Sequence, residues 1–430
     1  MPAMPPTVRP VAGTVAVIGG GPGGLMAAEV LAAAGARVAV YERMPSVGRK
    51  FLLAGRSGLN LTHSEPIDQL LTRYGAAANR LEPAIRAFPP EAVREWAEGL
   101  GQRTYVGSSG RVFPTAMRAT PLLRAWLGRL ADLGVEFHTR TTWTGWGADG
   151  ELRLTTADGS TITATPDATV LALGGASWPR VGSNGAWAET LAARGITTVP
   201  FRPANCGFLV DWSDHFCRAH AGAPLKNVRL TSATDGTTVR GEAVITTRGI
   251  EGGGVYMLAA SLRDAIEAHG SATLVVDLHP DRSPADLAAR LAKRRAGDSR
   301  TNHLRRATGL SGVALALIGE VQRGAGPDAN LHDVDDRDDP GRLAALIKTL
   351  PIVVTAPSPI DRAISTAGGV ALADIDESWM LRVRPDVYVT GEMIDWEAPT
   401  GGYLLQATFS TAVAAARAIL NRELRPPDHP

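Results

Sequence analysis

The hydrophobic pattern near the start of the chain predicts a strand, a turn, a helix and a second strand. Thr14–Ile18 is a short apolar run rich in β-branched residues, which predicts a buried strand. A glycine cluster follows, and residues 25–34 are rich in Ala and Leu, which predicts a helix that ends at Gly35. Residues 37–41 alternate in polarity and predict a second strand. Together these elements have the size of a βαβ unit, about 30 residues.

The next stretch of sequence predicts a mixture of helices and short strands. Helices are expected near residues 90–100 and 120–133, with a hairpin around residues 107–110 between them. Residues 135–165 contain short β runs broken by glycine turns, which predicts a three-stranded meander. Residues 169–173 form another apolar strand that ends in a pair of glycines.

The residue composition changes in the second half of the sequence, and near the end of the chain it becomes similar to that of the first third again. Residues 200–245 are polar and strand-like, whereas residues 284–350 have helical patterns and carry most of the charge runs. From Ala363 the glycine-rich, β-branched texture of the first third returns, and an Ala-rich helix is predicted over about 402–420. The sequence shows no internal repeat of fixed period.

Composition and charge exclude several classes of protein. With 430 residues, two or three domains are expected, and 44% hydrophobic with 20% charged residues is a soluble globular composition. The balance of 44 basic and 43 acidic residues gives no overall field that would attract nucleic acid or anionic lipid. Cys206 and Cys217 lie outside any Cys-x-x-Cys motif, so neither a disulfide framework nor a multi-cysteine zinc site is expected. A cytoplasmic location is predicted.

No membrane span and no metal site are expected from the sequence. Residues 11–28 carry no charge, but six glycines and Pro22 exclude a continuous lipid-facing helix there. No segment has metal-ligand spacing.

A dinucleotide-binding motif lies between the first predicted strand and helix. In Gly19-x-Gly21-x-x-Gly24, the first glycine permits the tight turn, the second lets the backbone approach a pyrophosphate, and the third allows close helix packing. The phosphates would meet free N–H groups at the positive end of the helix dipole. Glu42 ends the second strand, where its carboxylate can accept hydrogen bonds from ribose hydroxyls. Arg43 either stacks on adenine or faces solvent.

The positions of the glycine clusters favour FAD as the dinucleotide. A second cluster, over residues 48–58, follows the motif, and a third, Gly401-Gly402, opens the last predicted helix. FAD is long enough to contact all three. No second G-x-G-x-x-G follows a strand, so a separate nicotinamide-binding Rossmann unit is not expected.

Seven stretches spread over the chain carry a family resemblance. They are Val17-Ile-Gly-Gly-Gly-Pro-Gly-Gly24, Gly48-Arg-Lys-Phe51, Gly55-Arg-Ser-Gly-Leu-Asn60, Gly110-Arg-Val-Phe-Pro114, Leu173-Gly-Gly-Ala-Ser-Trp-Pro179, Thr366-Ala-Gly-Gly-Val370 and Gly391-Glu-Met-Ile-Asp-Trp-Glu-Ala-Pro-Thr-Gly-Gly-Tyr-Leu-Leu-Gln406. Together they resemble the BaiN/RdsA-type NAD(P)/FAD-dependent oxidoreductases, whose FAD domain is similar to that of fumarate reductase flavoproteins. Two segments depart from the commoner pattern: Gly58-Leu59-Asn60 stands where many members carry Arg-Cys-Asn, and Thr247-Arg-Gly-Ile-Glu-Gly252 differs from Thr-His-x-Gly-Ile-Ser.

The resemblance implies a set of FAD contacts spread over the chain. The pyrophosphate would be held by Gly19, Gly21, Pro22, Gly23 and Gly24, and the ribose by Glu42. The loops that approach the cofactor would include Arg49, Lys50 and Asn60, and the main chain at Trp143 would contact adenine. The ribityl chain would meet Gly391 and Glu392, and the flavin would meet backbone N–H groups of Gly401, Gly402, Tyr403 and Leu404.

The flavin end of the predicted site includes the candidate catalytic groups. Two-electron reduction places negative charge around flavin N1 and the C2 carbonyl, and a helix that starts at Gly402 offers donors and a positive dipole there. The alternative is a glycine turn before an ordinary helix. Asn60 and His63 are the candidate catalytic residues. His63 either donates a proton near the flavin or is a surface or capping residue.

Two further features leave alternatives open. A basic run is interpreted as one helix, and it consists of Arg290, Lys293, Arg294, Arg295, Arg300, Arg305 and Arg306. The helix either binds RNA or an acidic partner, or it is simply exposed to solvent. Arg248 and Glu251 either face substrate or form a structural ion pair. Nucleic acid is not the expected partner because the total charge is near neutral.

The expected architecture is an α/β, Rossmann-like FAD-binding domain with a parallel sheet and a β-meander, interrupted by an insertion. Because the cofactor must touch both ends of the chain, residues 1–195 and 362–430 are predicted to form the FAD domain. Residues 196–361 are predicted to be the insertion, β-rich over 196–280 and 351–361 and helical over 281–350. The expected reaction reduces the flavin with NAD(P)H or another donor and passes hydride from N5 to a small organic acceptor, with an activated C=C bond suggested by family analogy.

Overall fold

The computed structural model describes residues 13–54, 58–324 and 339–423. The chain divides into two compact units, Met1–Arg202 with Ser365–Pro430 and Pro203–Ile364. The predicted boundaries, at 195/196 and 361/362, lie a few residues before these divisions. Residues 55–57 of the second glycine cluster are outside the described residues. The two units are called the first unit and the second unit below.

The strands of the described residues are short. In chain order they are β1 (Thr14–Ile18), β2 (Arg37–Glu42), β3 (Thr62–His63), β4 (Thr104–Val106), β5 (Arg111–Pro114), β6 (Glu136–Thr139), β7 (Thr142–Trp146), β8 (Leu152–Thr155), β9 (Thr161–Ala164), β10 (Ala168–Leu171), β11 (Thr198–Ala204), β12 (Phe208–Leu209), β13 (Pro224–Ser232), β14 (Thr238–Ile245), β15 (Gly249–Glu251), β16 (Ala272–Asp277), β17 (Leu350–Val354), β18 (Ala356–Pro357), β19 (Ser365–Val370) and β20 (Val387–Val389).

The α-helices of the described residues vary more in length. They are α1 (Pro22–Ala33), α2 (Arg49–Ala54), α3 (Ile67–Thr72), α4 (Ala78–Ala87), α5 (Pro90–Gly99), α6 (Ala119–Asp132), α7 (Trp187–Ala192), α8 (Asp214–His220), α9 (Gly253–Met257), α10 (Ala259–His269), α11 (Pro284–Leu291), α12 (Arg300–Thr308), α13 (Gly312–Gly324), α14 (Pro340–Lys348) and α15 (Tyr403–Glu423).

A five-stranded parallel sheet forms the centre of the first unit, in the order β20-β10-β1-β2-β6. Val17 on β1 pairs with Val40 on β2 and with Val170 on β10, and all three side chains are fully buried. Strands buried on both faces need near-continuous apolar sequence, and this is why the opening run of the chain lacks polar alternation.

The first and last helices of the chain, α1 and α15, pack together in the first unit. At their contact, a Cβ added to Gly23 would lie 3.3 Å from the Thr408 methyl group. The rings of Trp96, Trp126 and Phe409 pack against each other nearby on α5, α6 and α15, with centroid distances of 4.8–5.8 Å. The last helix is therefore part of the core that supports the opening turn.

Two small antiparallel sheets complete the strands before residue 165. β7, β8 and β9 form the meander, whereas β6, which the prediction placed in the same stretch, joins the parallel sheet. β4 and β5 form the predicted hairpin, and β3 pairs with β5 through Thr62 and Val112. The helices α2, α3 and α4 were not predicted.

The second unit contains a seven-stranded sheet in the order β17-β16-β13-β14-β15-β12-β18, with every pair antiparallel. Its core holds Phe208, Phe216 and Leu230, all nearly inaccessible to solvent. The helices between β16 and β17 occupy the stretch for which helical patterns were predicted. α8 was not predicted, because its residues lie within the stretch interpreted as strand-like.

The interpretation of the basic run as one helix is wrong. α11 ends at Leu291 and α12 begins at Arg300, so two helices and a loop share these residues. Acidic neighbours also offset part of the charge: Arg290 pairs with Asp286, and Arg306 pairs with Asp298.

Helix α15 is the one described segment that could cross a membrane by length and composition. In its most apolar window, 61% is buried inside the protein, so length and composition alone are weak evidence for a membrane span.

Candidate cofactor and active site

The turn between β1 and α1 distinguishes two kinds of glycine. A Cβ added to Gly24 would lie 1.9 Å from the carbonyl oxygen of Gly19, so the fold itself requires glycine there. A Cβ added to Gly21 would meet no atom of the described residues within 4 Å. Gly21 therefore faces open space beside the start of α1, where a pyrophosphate could approach the backbone.

The first turn of α1 has donors available for an anion. Gly21 is the N-cap residue and no side chain caps the helix, while Pro22 occupies its first turn. The first N–H groups of a helix have no acceptor within the helix, and the dipole adds positive potential. These features fit a phosphate-bearing cofactor.

Glu42 braces the same turn. Its Oε2 accepts a hydrogen bond of 2.8 Å from the N–H of Gly20, and its Oε1 accepts one of 2.7 Å from the N–H of Met44. Each carboxylate oxygen has a second lone pair that can accept a ribose hydroxyl. The ribose contact of Glu42 stays a prediction.

Arg43 has partners that neither sequence alternative included. Its Nε donates to the carbonyl oxygen of Gly182 at 2.9 Å, and an Nη2 donates to that of Pro179 at 2.8 Å. The guanidinium thus ties the end of β2 to the loop over residues 179–182.

A polar network joins Lys50 to Glu392. The Lys50 ammonium donates to Glu392 Oε2 and to Ser177 Oγ, both at 2.7 Å. The other carboxylate oxygen of Glu392 accepts the Thr366 N–H at 2.9 Å, and Thr366 Oγ1 accepts the N–H groups of Ala176 and Ser177. Two of the predicted cofactor-binding residues, distant in sequence, are therefore in direct contact.

Several buried polar atoms on the predicted cofactor segments have no hydrogen-bond partner among the described residues. They are Arg49 Nε, Asn60 Oδ1, Trp143 Nε1 and Thr400 Oγ1. Because buried polar atoms are nearly always hydrogen-bonded, such atoms indicate the place of a missing partner. Together with the open side of Gly21, they fit a large polar cofactor. Thr400 was not among the residues predicted from sequence.

The Gly401-Gly402 turn lies directly against β3. Gly402 has φ of +97°, and a Cβ there would lie 2.5 Å from the Thr62 carbonyl carbon, so glycine is required by both conformation and space. Thr62 Oγ1 also donates to Gln406 Oε1 at 2.5 Å. Leu404, half-buried, follows in the first turn of α15.

Tyr403 is held by a cluster that the sequence did not reveal. Arg73 donates to both carboxylate oxygens of Glu65, at 3.1 and 2.7 Å, and Tyr74 donates to the Tyr403 carbonyl oxygen at 2.9 Å. Burial raises the pKa of Tyr403 far above its ordinary value, and the hydrogen bond to Glu65 and its negative charge raise it further. Burial also favours a higher pKa for Glu65, but hydrogen bonds from Arg73 and Tyr403 outweigh it and lower that pKa.

His63 is anchored through both ring nitrogens. Nδ1 accepts the Glu65 N–H at 3.1 Å, and Nε2 lies 3.0 Å from the Ser109 carbonyl oxygen, which assigns the proton to Nε2. The ring also stacks on Tyr403 at a centroid distance of 5.3 Å. A proton-donating role for His63 would require one of these contacts to break.

The structure brings together several predicted residues around the ends of the parallel strands. Lys50 and Glu392 touch, and Asn60 and His63 lie beside the segment that presses on Gly402. Gly391 is tied to α15 through Thr411, whose Oγ1 accepts its N–H at 3.1 Å. Across residues 13–54, 58–324 and 339–423, no group of three or more His, Cys, Asp or Glu side chains could hold a metal ion.

A comparison with protein families assigns the chain. The family described as "HI0933-like protein Rossmann domain" matches residues 13–418. The chain belongs to this HI0933-like family. The predicted family and the Rossmann-like α/β fold class are confirmed, and this family membership supports a flavin cofactor and an oxidoreductase.

Two known proteins illustrate the similarity. The chain is 24% identical over 428 residues to a 3-dehydro-bile acid delta(4,6)-reductase of Clostridium scindens, covering 95% of this chain and 99% of that protein. The crystal structure of 3-ketosteroid delta1-dehydrogenase from Sterolibacterium denitrificans, in complex with 1,4-androstadiene-3,17-dione, has a TM-score of 0.53 at 14% identity. The match covers 96% of this chain and 100% of that one, and it shows a shared fold.

Proposed function

We propose that this HI0933-like protein is an FAD-dependent reductase that takes electrons from NAD(P)H and reduces an activated C=C bond in a small organic acceptor. Each turnover consumes one NAD(P)H and one proton. The NAD(P)H is oxidised to NAD(P)⁺, and one C=C double bond becomes a single bond. The name of the Clostridium scindens relative, 3-dehydro-bile acid delta(4,6)-reductase, supports this reaction class.

The observation that carries the proposal is the meeting of Lys50 and Glu392 within the unit that also holds the open turn at Gly21 and the tight turn at Gly402. Gly21 and Lys50 come from the beginning of that unit's sequence, and Glu392 and Gly402 come from its end. A glycine turn with only a structural role at Gly21 would need neither the Lys50–Glu392 contact nor the turn at Gly402.

The residues of the chain have distinct roles in this proposal. The N–H groups at the start of α1 bind the pyrophosphate, and Glu42 accepts the ribose hydroxyls while bracing the turn. Lys50 and Glu392 orient the middle of the cofactor. The backbone at Gly401 and Gly402 and the positive end of α15 favour negative charge on the ring. Flavin, when bound, supplies two-electron redox chemistry.

Asn60 is the side chain that we assign to the flavin end of the site. Its carboxamide oxygen is buried and has no hydrogen-bond partner in the part of the chain that the structure describes. It lies two residues before Thr62, whose backbone presses on Gly402. A hydrogen bond to the ring or to the acceptor would satisfy this oxygen.

An anaerobic titration tests the proposal. The purified protein should show the visible absorption bands of flavin, and NADH or NADPH should bleach them without oxygen. Adding a 3-oxo-4,6-diene steroid should restore the bands, whereas its fully saturated 3-oxo analogue should not. A coloured protein that neither nicotinamide bleaches would contradict the electron donor, and reoxidation by neither steroid would contradict this acceptor class.

A further inference from the structure

We propose that the Thr400 hydroxyl is a hydrogen-bond partner of the ring portion of the flavin. Its Oγ1 atom is buried and has no hydrogen-bond partner within residues 13–54, 58–324 and 339–423. Nothing in the family resemblance assigned a role to this side chain. The inference rests on the flavin-binding function proposed above.

The position of Thr400 in the fold supports this assignment. Thr400 directly precedes the Gly401-Gly402 turn, and Gly402 is pressed against the backbone of Thr62. Asn60, whose Oδ1 is also buried and unpartnered, lies two residues before Thr62. The segments that contain Thr62 and Gly402 are in close contact, and each carries one buried oxygen without a hydrogen-bond partner among the described residues. These oxygens belong to Asn60 and Thr400.

Local structural roles do not account for the hydroxyl. Threonine side chains near a helix start usually cap the helix by accepting a backbone N–H. Thr400 Oγ1 accepts none, and α15 begins three residues later, at Tyr403. By contrast, the buried Thr308 of the second unit donates to the Leu304 carbonyl oxygen at 2.7 Å, and Thr411 donates to that of Ala407 at 2.8 Å.

An unpartnered buried hydroxyl has opposite consequences for the protein without and with its ligand. In the apo-protein it weakens the fold, because the group has lost its bonds to water and gained none. In the complex, the Thr400 hydroxyl can form a hydrogen bond with the flavin ring. Replacing the hydroxyl with a methyl group should therefore leave the apo-protein as stable or more stable, while weakening flavin binding.

The experiment compares T400V, T400S and T308V with the wild type in two measurements, the Tm of the apo-protein and the Kd for FAD by fluorescence titration. T400V should keep or raise the apo-protein Tm and raise the Kd about tenfold. T400S should retain the wild-type Kd because it keeps the hydroxyl. T308V should lower the Tm and leave the Kd unchanged, because its hydroxyl already has a partner in the second unit.

The results separate this inference from the proposed function. A wild-type protein that takes up no FAD would overturn the function itself. Wild-type binding with an unchanged Kd in T400V would overturn only the assignment of Thr400. A T400V variant with a lowered apo-protein Tm and an unchanged Kd would show that the hydroxyl is structural.

Discussion

The Nζ atom of Lys50 lies 2.7 Å from Oε2 of Glu392, although 342 residues separate them along the chain. The exposed fractions of their side chains are 27% and 16%, so water screens the pair only in part. The ion pair and the Thr366 hydrogen bonds fasten α2 to the segment after β20, next to the strand ends of the parallel sheet.

The variants K50M and E392Q should each destabilise the protein by about 1–3 kcal/mol, because each leaves a partly buried charged group without its partner. The double variant should lose less unfolding free energy than the two single variants lose in sum, because the second substitution removes the charged group that the first leaves unpaired. Urea denaturation of the apo-protein measures all three. R153A is the control, since Arg153 is 55% exposed and lies 3.8 Å from Glu151, and its stability should stay near that of the wild type. Strictly additive losses would show that the two groups do not interact.

The cluster around Tyr403 makes stability depend on pH through Glu65. The pKa of Glu65 is lowered in the folded protein because hydrogen bonds from Arg73 and Tyr403 outweigh the effect of burial. Its stabilisation is therefore fully present above the unfolded-state pKa, about 4.3, and is lost as pH falls through the lower folded value. E65Q should be less stable than the wild type at pH 7 by about 1–3 kcal/mol.

The difference between E65Q and the wild type should shrink as the pH falls below about 4. Thermal denaturation at a series of pH values measures it. E95Q, at an exposed position on α5, should follow the wild-type curve. A gap between E65Q and the wild type that stays constant down to pH 3 would argue against an ionised Glu65 in the cluster.

The contacts of His63 predict a structural effect. H63F keeps the stack on Tyr403 but loses the bonds to the Glu65 N–H and the Ser109 carbonyl oxygen. We expect a loss of about 1–3 kcal/mol in unfolding free energy, the sum of two ordinary hydrogen bonds. H138F is a matched control, because His138 also stacks on a tyrosine, Tyr41, but its side chain is 42% exposed. Unchanged stability in H63F, combined with lost turnover, would support His63 as the proton donor instead.

The elements that the sequence predicted well are those with strong local signals. The run Thr14–Ile18 is apolar throughout, and Gly19, Gly21 and Gly24 have the spacing of a phosphate turn, so strand, turn and helix follow from adjacent residues. The hairpin of β4 and β5 is likewise marked by its glycines. Family resemblance supplied Lys50 and Glu392, whose contact joins segments that no local pattern relates.

The parts that the sequence missed depend on tertiary contacts. Glu65, Arg73 and Tyr74 lie in a polar stretch without a recognisable motif, and their role appears only when α3 and α15 are adjacent in the fold. Arg43 was considered only for adenine or solvent, because the loop that binds it lies 136–139 residues away. The interpretation of the basic run as one helix fails because α11 ends at Leu291, and Gly297 in the following loop has φ of +82°, which an α-helix does not accommodate.

The open side of Gly21 tests the central claim most directly. Gly21 has φ of −82° and ψ of −178°, which alanine adopts readily, and an added Cβ meets no atom within 4 Å across the described parts of the chain. In G21A, the Tm of the apo-protein should match that of the wild type, and the Kd for FAD should rise on the order of tenfold or more, about 1.4 kcal/mol, because the methyl group occupies the path of the pyrophosphate. A G21A protein that binds FAD as tightly as the wild type would contradict the placement of the cofactor on this turn.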